Sequence, residues 1–148
     1  MEHKVFGIKE NHEYIDRAGV YLIPIKDGNV GVVQTPKGYF LLGGGLDSNE
    51  TDEMCIRREC MEEVGFSVVI EKLVCSAETY CRTPSIEFFH PIQTYYIGNL
   101  DKQISNPIEE DHRFVWMPFH EIKGKMYVEM QSWAIEQCWI AKGFEKQL

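Results

Sequence analysis

One strongly patterned polar segment, Gly43 to Phe66, interrupts a chain otherwise made of short apolar runs, and it limits the folds open to the whole. It begins with Gly43-Gly44-Gly45, a backbone stretch able to take almost any φ and ψ. Thr51 is a natural helix N-cap, and Asp52 and Glu53 place negative charge in a first turn, where the helix dipole favours it. The pattern predicts a helix to about Val64, with Gly65 as the residue just past its end. Before this helix, Ala18–Ile25 and Asn29–Thr35 read as strands joined at Lys26-Asp27-Gly28 in a β-hairpin, and Tyr39–Leu42 as a third strand. After it, Ser67–Tyr80 and Ile86–Leu100 read as long strands on either side of a Thr83-Pro84-Ser85 turn, and Arg113–Trp116 as a short one. A last helix is expected from about Glu129 to Lys142, because Met126, Met130, Trp133, Ala134, Cys138 and Ala141 recur at helical spacing. Strands, helix, strands, helix is the order of a mixed sheet covered by helices, an α/β or α+β layered domain.

The 148 residues suit one domain over 1–148. A chain of this length buries enough surface to need no disulfide or structural metal. Apolar residues at 44% and charged residues at 26% exclude a disordered chain. The formal net charge of −8 argues against a nucleic-acid polymer as partner, which would want a basic stripe. It leaves room for one small phosphorylated ligand, since a bound divalent cation reverses the local sign. The cysteines Cys55, Cys60, Cys75, Cys81 and Cys138 are odd in number and contain no C-x-x-C pair, so neither a zinc site nor a disulfide framework is expected. Free thiols fit a reducing compartment, and Met1 to Asp16 lack the apolar core of a signal peptide. With no apolar run long enough to span a bilayer, the expectation is a cytoplasmic protein without a membrane partner, monomer or homodimer.

Within the central segment, Glu59, Glu62 and Glu63 stand at i, i+3 and i+4, so a helix brings them to one face. Three like charges there repel, and Arg58, which reaches Glu62 at i+4, compensates only part. A hard cation bound by oxygen ligands would resolve the repulsion. The glycine loop just before the helix can turn backbone groups towards the same point. A bare E-x-x-E-E is more often solvated surface, and a glycine triplet alone is more often only a loop. The joint spacing changes that balance.

Gly44, five residues, Glu50, seven residues, Arg58-Glu59, apolar Cys60, one residue, Glu62-Glu63, one residue, Gly65 and apolar Phe66 together resemble the Nudix box, with every fixed position filled. Leu42 stands where that family often has Pro, and Asn49 where it often has Gly, departures that touch the loop rather than the carboxylates. The resemblance implies a Nudix-like α/β/α sandwich, with a mixed sheet between helices. It also implies Mg²⁺, with Mn²⁺ as a substitute, and attack of water on phosphorus in a nucleoside diphosphate linked to another group.

Carried onto this chain, the resemblance makes Glu59, Glu62 and Glu63 the metal-binding carboxylates, with a carbonyl of Gly43 or Gly44 completing part of the coordination. Glu59 and Glu62 are catalytic candidates, one glutamate activating the water; Arg58 would orient the carboxylates and Glu50 brace Arg58. A downstream acid is expected from Ile108-Glu109-Glu110-Asp111-His112, with Glu110 or Glu109 as metal ligand or general base; the bland reading of this loop is a solvated charge run. Substrate-side candidates are Gly44, Gly45, Arg17, which would meet a phosphate if it is not simply a surface arginine, and Tyr39, which would stack on a base or sugar if it is not core. Two other functions stay open: a non-catalytic nucleotide or metabolite sensor, which would predict a broken carboxylate set, and a diphosphate isomerase, which would need Cys75 or Cys81 in the pocket beside an acid.

Overall fold

A computed structural model describes residues 1–143. The chain forms β1 (Glu2–Phe6), β2 (Ile15–Lys26), β3 (Asn29–Thr35), β4 (Gly38–Phe40), β5 (Leu42–Gly45), α1 (Asp52–Val64), β6 (Phe66–Thr79), β7 (Phe89–Gln103), β8 (Arg113–Pro118), α2 (Phe119–Ile122) and α3 (Glu129–Ala141). Eight strands make one mixed sheet in the order β1-β6-β7-β2-β3-β4, with β5 also paired to β2 and β8 to β3. β1 runs parallel to β6 and β2 parallel to β7, whereas β6 and β7 are antiparallel. The hairpin expected at Lys26-Asp27-Gly28 is there, but only its base is paired, through Ile25 with Val30 and Lys26 with Asn29. Beyond that base β2 runs along β7 while β3 turns away to pair with β8, so one long strand belongs to two halves of the sheet.

Alternation along β2 divides the core. Ile23 and Ile25 join Val32, Tyr95, Ile97 and the α3 residues Met130, Ala134, Ile135 and Cys138 on one face. Val20 and Leu22 join Leu42 and the α1 residues Cys55, Ile56, Cys60 and Val64 on the other. Each fully buried branched side chain, Ile56 or Leu42 for example, contributes about 1.5–3 kcal/mol. The result is the expected sandwich, α1 on one face of a mixed sheet and α3 on the other.

Both ends of α1 follow its sequence. Thr51 Oγ1 accepts from the Met54 N–H at 3.2 Å. Gly65 takes φ 73°, the left-handed conformation, and its N–H reaches back to the carbonyls of Cys60 and Met61. In α3 the buried stripe differs from the expected one. Ala141 is exposed, and Gln131 is buried in its place, where its side chain accepts from the Leu41 N–H at 2.9 Å and donates to Gln93 Oε1 at 3.1 Å. A buried amide so engaged meets its hydrogen-bonding needs and ties α3 to Leu41, where the expected strand Tyr39–Leu42 breaks into β4 and β5 and the three glycines, expected as a loop, pair with β2 as part of β5. Among the described residues no helix is long and apolar enough to cross a membrane.

Candidate functional site

The glycine loop and α1 face each other closely. A Cβ on Gly44 would lie 2.6 Å from the Glu59 carboxyl carbon, so any larger residue here would displace that carboxylate. Asn49 has φ 66°, the left-handed region that asparagine enters more readily than most residues, which accounts for Asn at a position often held by Gly. Leu42, in place of Pro, pairs with Leu22 and is buried against α1.

Arg58 is the hub of this interface. Its Nε donates to Glu50 Oε2 at 2.7 Å and its Nη2 to Glu50 Oε1 at 3.0 Å, a bidentate pair. Nη2 also donates to the Gly45 carbonyl at 3.0 Å, and Nη1 to Glu59 Oε1 at 2.9 Å and Glu62 Oε2 at 3.4 Å. Five acceptors around one planar cation hold the loop, the helix and two of the three glutamates in fixed relation. The hydrogen bond from Arg58 pulls the Glu50 carboxyl down to about 2.

Glu63 is the exposed-looking residue that the fold buries, at 6% exposure. Its Oε1 accepts from the Gly43 N–H at 2.9 Å. Burial pushes its carboxyl up to about 8 against that hydrogen bond, and Glu59 and Glu109 add like-charge repulsion. Burial also raises Glu59, opposed by Arg58. Burial thus penalises the charged form of both carboxyls, and at Glu59 it outweighs the Arg58 guanidinium beside it.

The loop between β7 and β8 supplies the rest. It folds back on the end of α1 through hydrogen bonds from Ile104 N and Ser105 N to the Gly65 carbonyl and from Ile108 N to the Glu62 carbonyl. This brings Glu109 and His112 to Glu63. His112 Nδ1 lies 2.7 Å from Glu109 Oε2 and 3.5 Å from Glu63 Oε2. The contact at 2.7 Å is not aligned as a hydrogen bond: both atoms are buried and neither has a hydrogen-bond partner. Glu110, expected as the downstream acid alongside Glu109, is exposed on the turn, and Glu109 is the one that reaches the glutamates. His112 was not foreseen; its only sequence signal was its place at the end of the acidic loop.

A cleft of about 350 Å³ opens beside this cluster, lined by Tyr21, Thr35, Lys37, Phe40, Leu41, Gly43, Glu63, Asp111 and His112. Arg17 is exposed and lies along the glycine loop, its guanidinium about 3.2 Å from where a Gly45 Cβ would stand. Tyr39 does not face this cleft. It packs against the α3-side core while its neighbour Phe40 lines the opening, because successive residues of β4 point to opposite faces. Of the expected residues, the structure thus gathers Glu59, Glu62, Glu63, Arg58, Gly43, Gly44, Gly45 and Arg17 around one loop and leaves Tyr39 and Glu110 aside.

The family model for the NUDIX domain matches residues 15–136, a span that runs from β2 into α3. The chain belongs to the Nudix family. That membership carries the reaction class, pyrophosphohydrolysis of the Nudix type. No curated protein sequence matches the chain. Among solved structures, a NUDIX hydrolase from Nitrosomonas europaea superposes with a TM-score of 0.74 at 19% identity, over 86% of this chain and 91% of that one. An ADP-ribose pyrophosphatase from Streptococcus suis gives 0.66 at 15% identity, over 87% and 93%. The NUDIX domain of NrtR from Shewanella oneidensis, solved with ADP ribose, gives 0.64 at 17% identity, over 88% and 90%. At these identities the likeness is one of fold. The Nudix box of this chain spans the end of β5, the turn after it and α1, and it adjoins the cleft through Gly43 and Glu63.

Proposed function

We propose that this Nudix protein uses Mg²⁺ to hydrolyse a phosphoanhydride bond in a nucleoside diphosphate linked to another moiety. The observation that carries this is the convergence of Glu59, Glu62 and Glu109 on Glu63, which itself lines a cleft with aromatic walls, with two buried polar atoms in the cluster lacking hydrogen-bond partners. The residues fit a divalent ion: oxygen ligands dominate, burial and neighbouring carboxylates both penalise the charge on Glu63, and Gly44 leaves room that a Cβ would fill. Glu59, Glu62, Glu63 and a Gly43 carbonyl would hold it. When bound, the ion polarises phosphoryl oxygens and lowers the pKa of a water.

The chain's own residues do the remaining work. Arg58 holds Glu59 and Glu62 in place, and the Gly43 N–H orients Glu63. A carboxylate of the cluster takes the proton from the attacking water. Arg17 and Lys37 meet phosphate oxygens from the two sides of the glycine loop, and Phe40 with Tyr21 offers the apolar wall that a base or sugar needs. The likeness to a domain solved with ADP ribose supports a nucleoside diphosphate carrying a second group as the substrate class.

The sensor reading predicted a damaged carboxylate set, and the set is complete. The isomerase reading wanted a thiol in the cleft. Cys75 is instead buried in the α3-side core, and Cys81 sits at the far end of β6, 3.6 Å from the Phe89 carbonyl. The test is phosphate-product release with Mg²⁺ across ordinary and oxidised nucleoside triphosphates, ADP-ribose, nucleotide sugars and dinucleoside polyphosphates. Turnover on one class, lost with Glu59→Gln and with EDTA, supports the proposal. No turnover on any, with Mg²⁺ still bound, returns the protein to the sensor class.

A further inference from the structure

We infer that His112 is a nitrogen ligand for a divalent ion held together with Glu63 and Glu109, so that this protein has one mixed nitrogen–oxygen metal position, preferring Mn²⁺ to Mg²⁺, beside the all-oxygen position of the box glutamates. The inference rests on the metal-assisted reading above and concerns which of this chain's residues meet the metal.

Three observations lead to it. One ligand atom from each of Glu63, Glu109 and His112 can be chosen so that all lie within 4.8 Å of one another, the only such group among the described residues. The closest two, His112 Nδ1 and Glu109 Oε2, are 2.7 Å apart and buried, yet neither has a hydrogen-bond partner. Buried polar atoms are rarely left so, and two ligands at right angles on an ion ~2.1 Å away lie about 3 Å apart. Two ligand atoms at that spacing without a mutual hydrogen bond fit a common third atom. The third observation is the outer side of the ring. His112 Nε2 faces Asp111 Oδ1 at 3.8 Å. Metal-bound imidazoles generally direct their remaining N–H at a carboxylate, and Asp111 stands on that side of the ring, at a distance too long for a direct hydrogen bond.

The choice of ion follows from ligand chemistry. Mg²⁺ takes oxygen almost exclusively and keeps its waters, whereas imidazole nitrogen suits the first-row transition ions. Two carboxylates and one imidazole therefore discriminate where three carboxylates would not. Glu63, nine-tenths buried, stands between the two positions: the box helix carries it, and the β7–β8 loop reaches it.

Pulsed electron paramagnetic resonance of Mn²⁺ added below one equivalent to the full chain tests this. Modulation from a directly bound ¹⁴N is expected in the wild type, changing to that of ¹⁵N when the protein carries ¹⁵N-histidine. His112→Gln should abolish it and His90→Gln should not. Calorimetric titration of His112→Gln should show Mn²⁺ binding weakened by about 10- to 100-fold, with Mg²⁺ binding changed less than about threefold. If His112→Gln fails to fold, retention of the nitrogen signal in single variants of His3, His12, His90 and His120 identifies His112 by elimination. Mn²⁺ bound without nitrogen coupling would overturn the inference and leave the all-oxygen metal reading standing. Absence of any Mn²⁺ or Mg²⁺ binding to the wild type would overturn both.

Discussion

His90 and His112 each sit among carboxylates, and the two surroundings are built in opposite ways. His90, on β7, has Nδ1 2.7 Å from Asp16 on β2 and Nε2 3.0 Å from Glu78 on β6, both in hydrogen-bonding geometry, and Tyr80 stacks on its ring at 4.2 Å. His3, on β1, adds hydrogen bonds to Ser76 and to the other oxygen of Glu78, each at 2.6 Å. The hydrogen bond from His90 holds the Glu78 carboxyl below the usual carboxylate range. At His112 the distances are as short, but the two closest atoms have no hydrogen bond, and burial pushes Glu63 up to about 8. Proximity of acids and imidazoles is common to both. Satisfaction is what separates them: one cluster closes on itself and staples four strands, the other leaves its charge and its lone pairs for something outside the chain.

The comparison breaks most visibly in turnover. Glu59→Gln should lower kcat by about a thousandfold, several kcal/mol of transition-state stabilisation, with KM changed little, while His90→Gln should leave kcat unaltered. Steady-state kinetics on whichever substrate class turns over checks both. A loss at His90 equal to that at Glu59 would erase the distinction.

The next effect lies in pH-dependent stability of metal-free protein. The Glu63 carboxyl is raised to about 8 in the fold from 4.5. Its contribution is therefore fully present below about 4.5 and is lost as pH rises through about 8, where an uncompensated charge is buried. Urea melts from pH 5 to pH 9 should show the wild type losing a few kcal/mol, roughly, more than Glu63→Gln, whose slope should be shallow. Mg²⁺ or Mn²⁺ should restore wild-type stability at the alkaline end. A variant whose pH profile matches the wild type would show that Glu63 carries no such strain.

Smaller still is the expected cost at the satisfied cluster. His90→Gln removes one partner from two hydrogen bonds to carboxylates at a site 8% exposed, and a loss of about 1–3 kcal/mol should appear in thermal melts, unaffected by EDTA. Divalent ions altering that loss would mean that this cluster also binds metal.

The box side of the site was legible in the residues, whereas the contrast between the two histidines was not. The spacing of Glu59, Glu62 and Glu63 fixed their common face, Thr51 and Gly65 marked both ends of α1, and the strand pattern gave the order of elements. What escaped depends on distance in sequence. β1 is an edge strand with four of its five residues exposed, so it shows no apolar alternation, and only its pairing with β6 makes it a strand. Tyr39 and Phe40 are equivalent as letters, and the pleat decides which meets the core. His112 becomes a neighbour of Glu63 only because the loop from Ile104 to Ile108 bonds to the carbonyls at the end of α1. Gln131 reads as polar surface until the Leu41 N–H and Gln93 are placed against it.

Titration of metal-free protein with Mg²⁺ by calorimetry, in the wild type, Glu63→Gln and His90→Gln, tests most directly whether the ion goes to the glutamates around Glu63 rather than to the cluster around His90. The account predicts binding in the wild type, loss of at least about tenfold in affinity in Glu63→Gln, and no change in His90→Gln. Equal affinity in all three, or a loss at His90 alone, would contradict it.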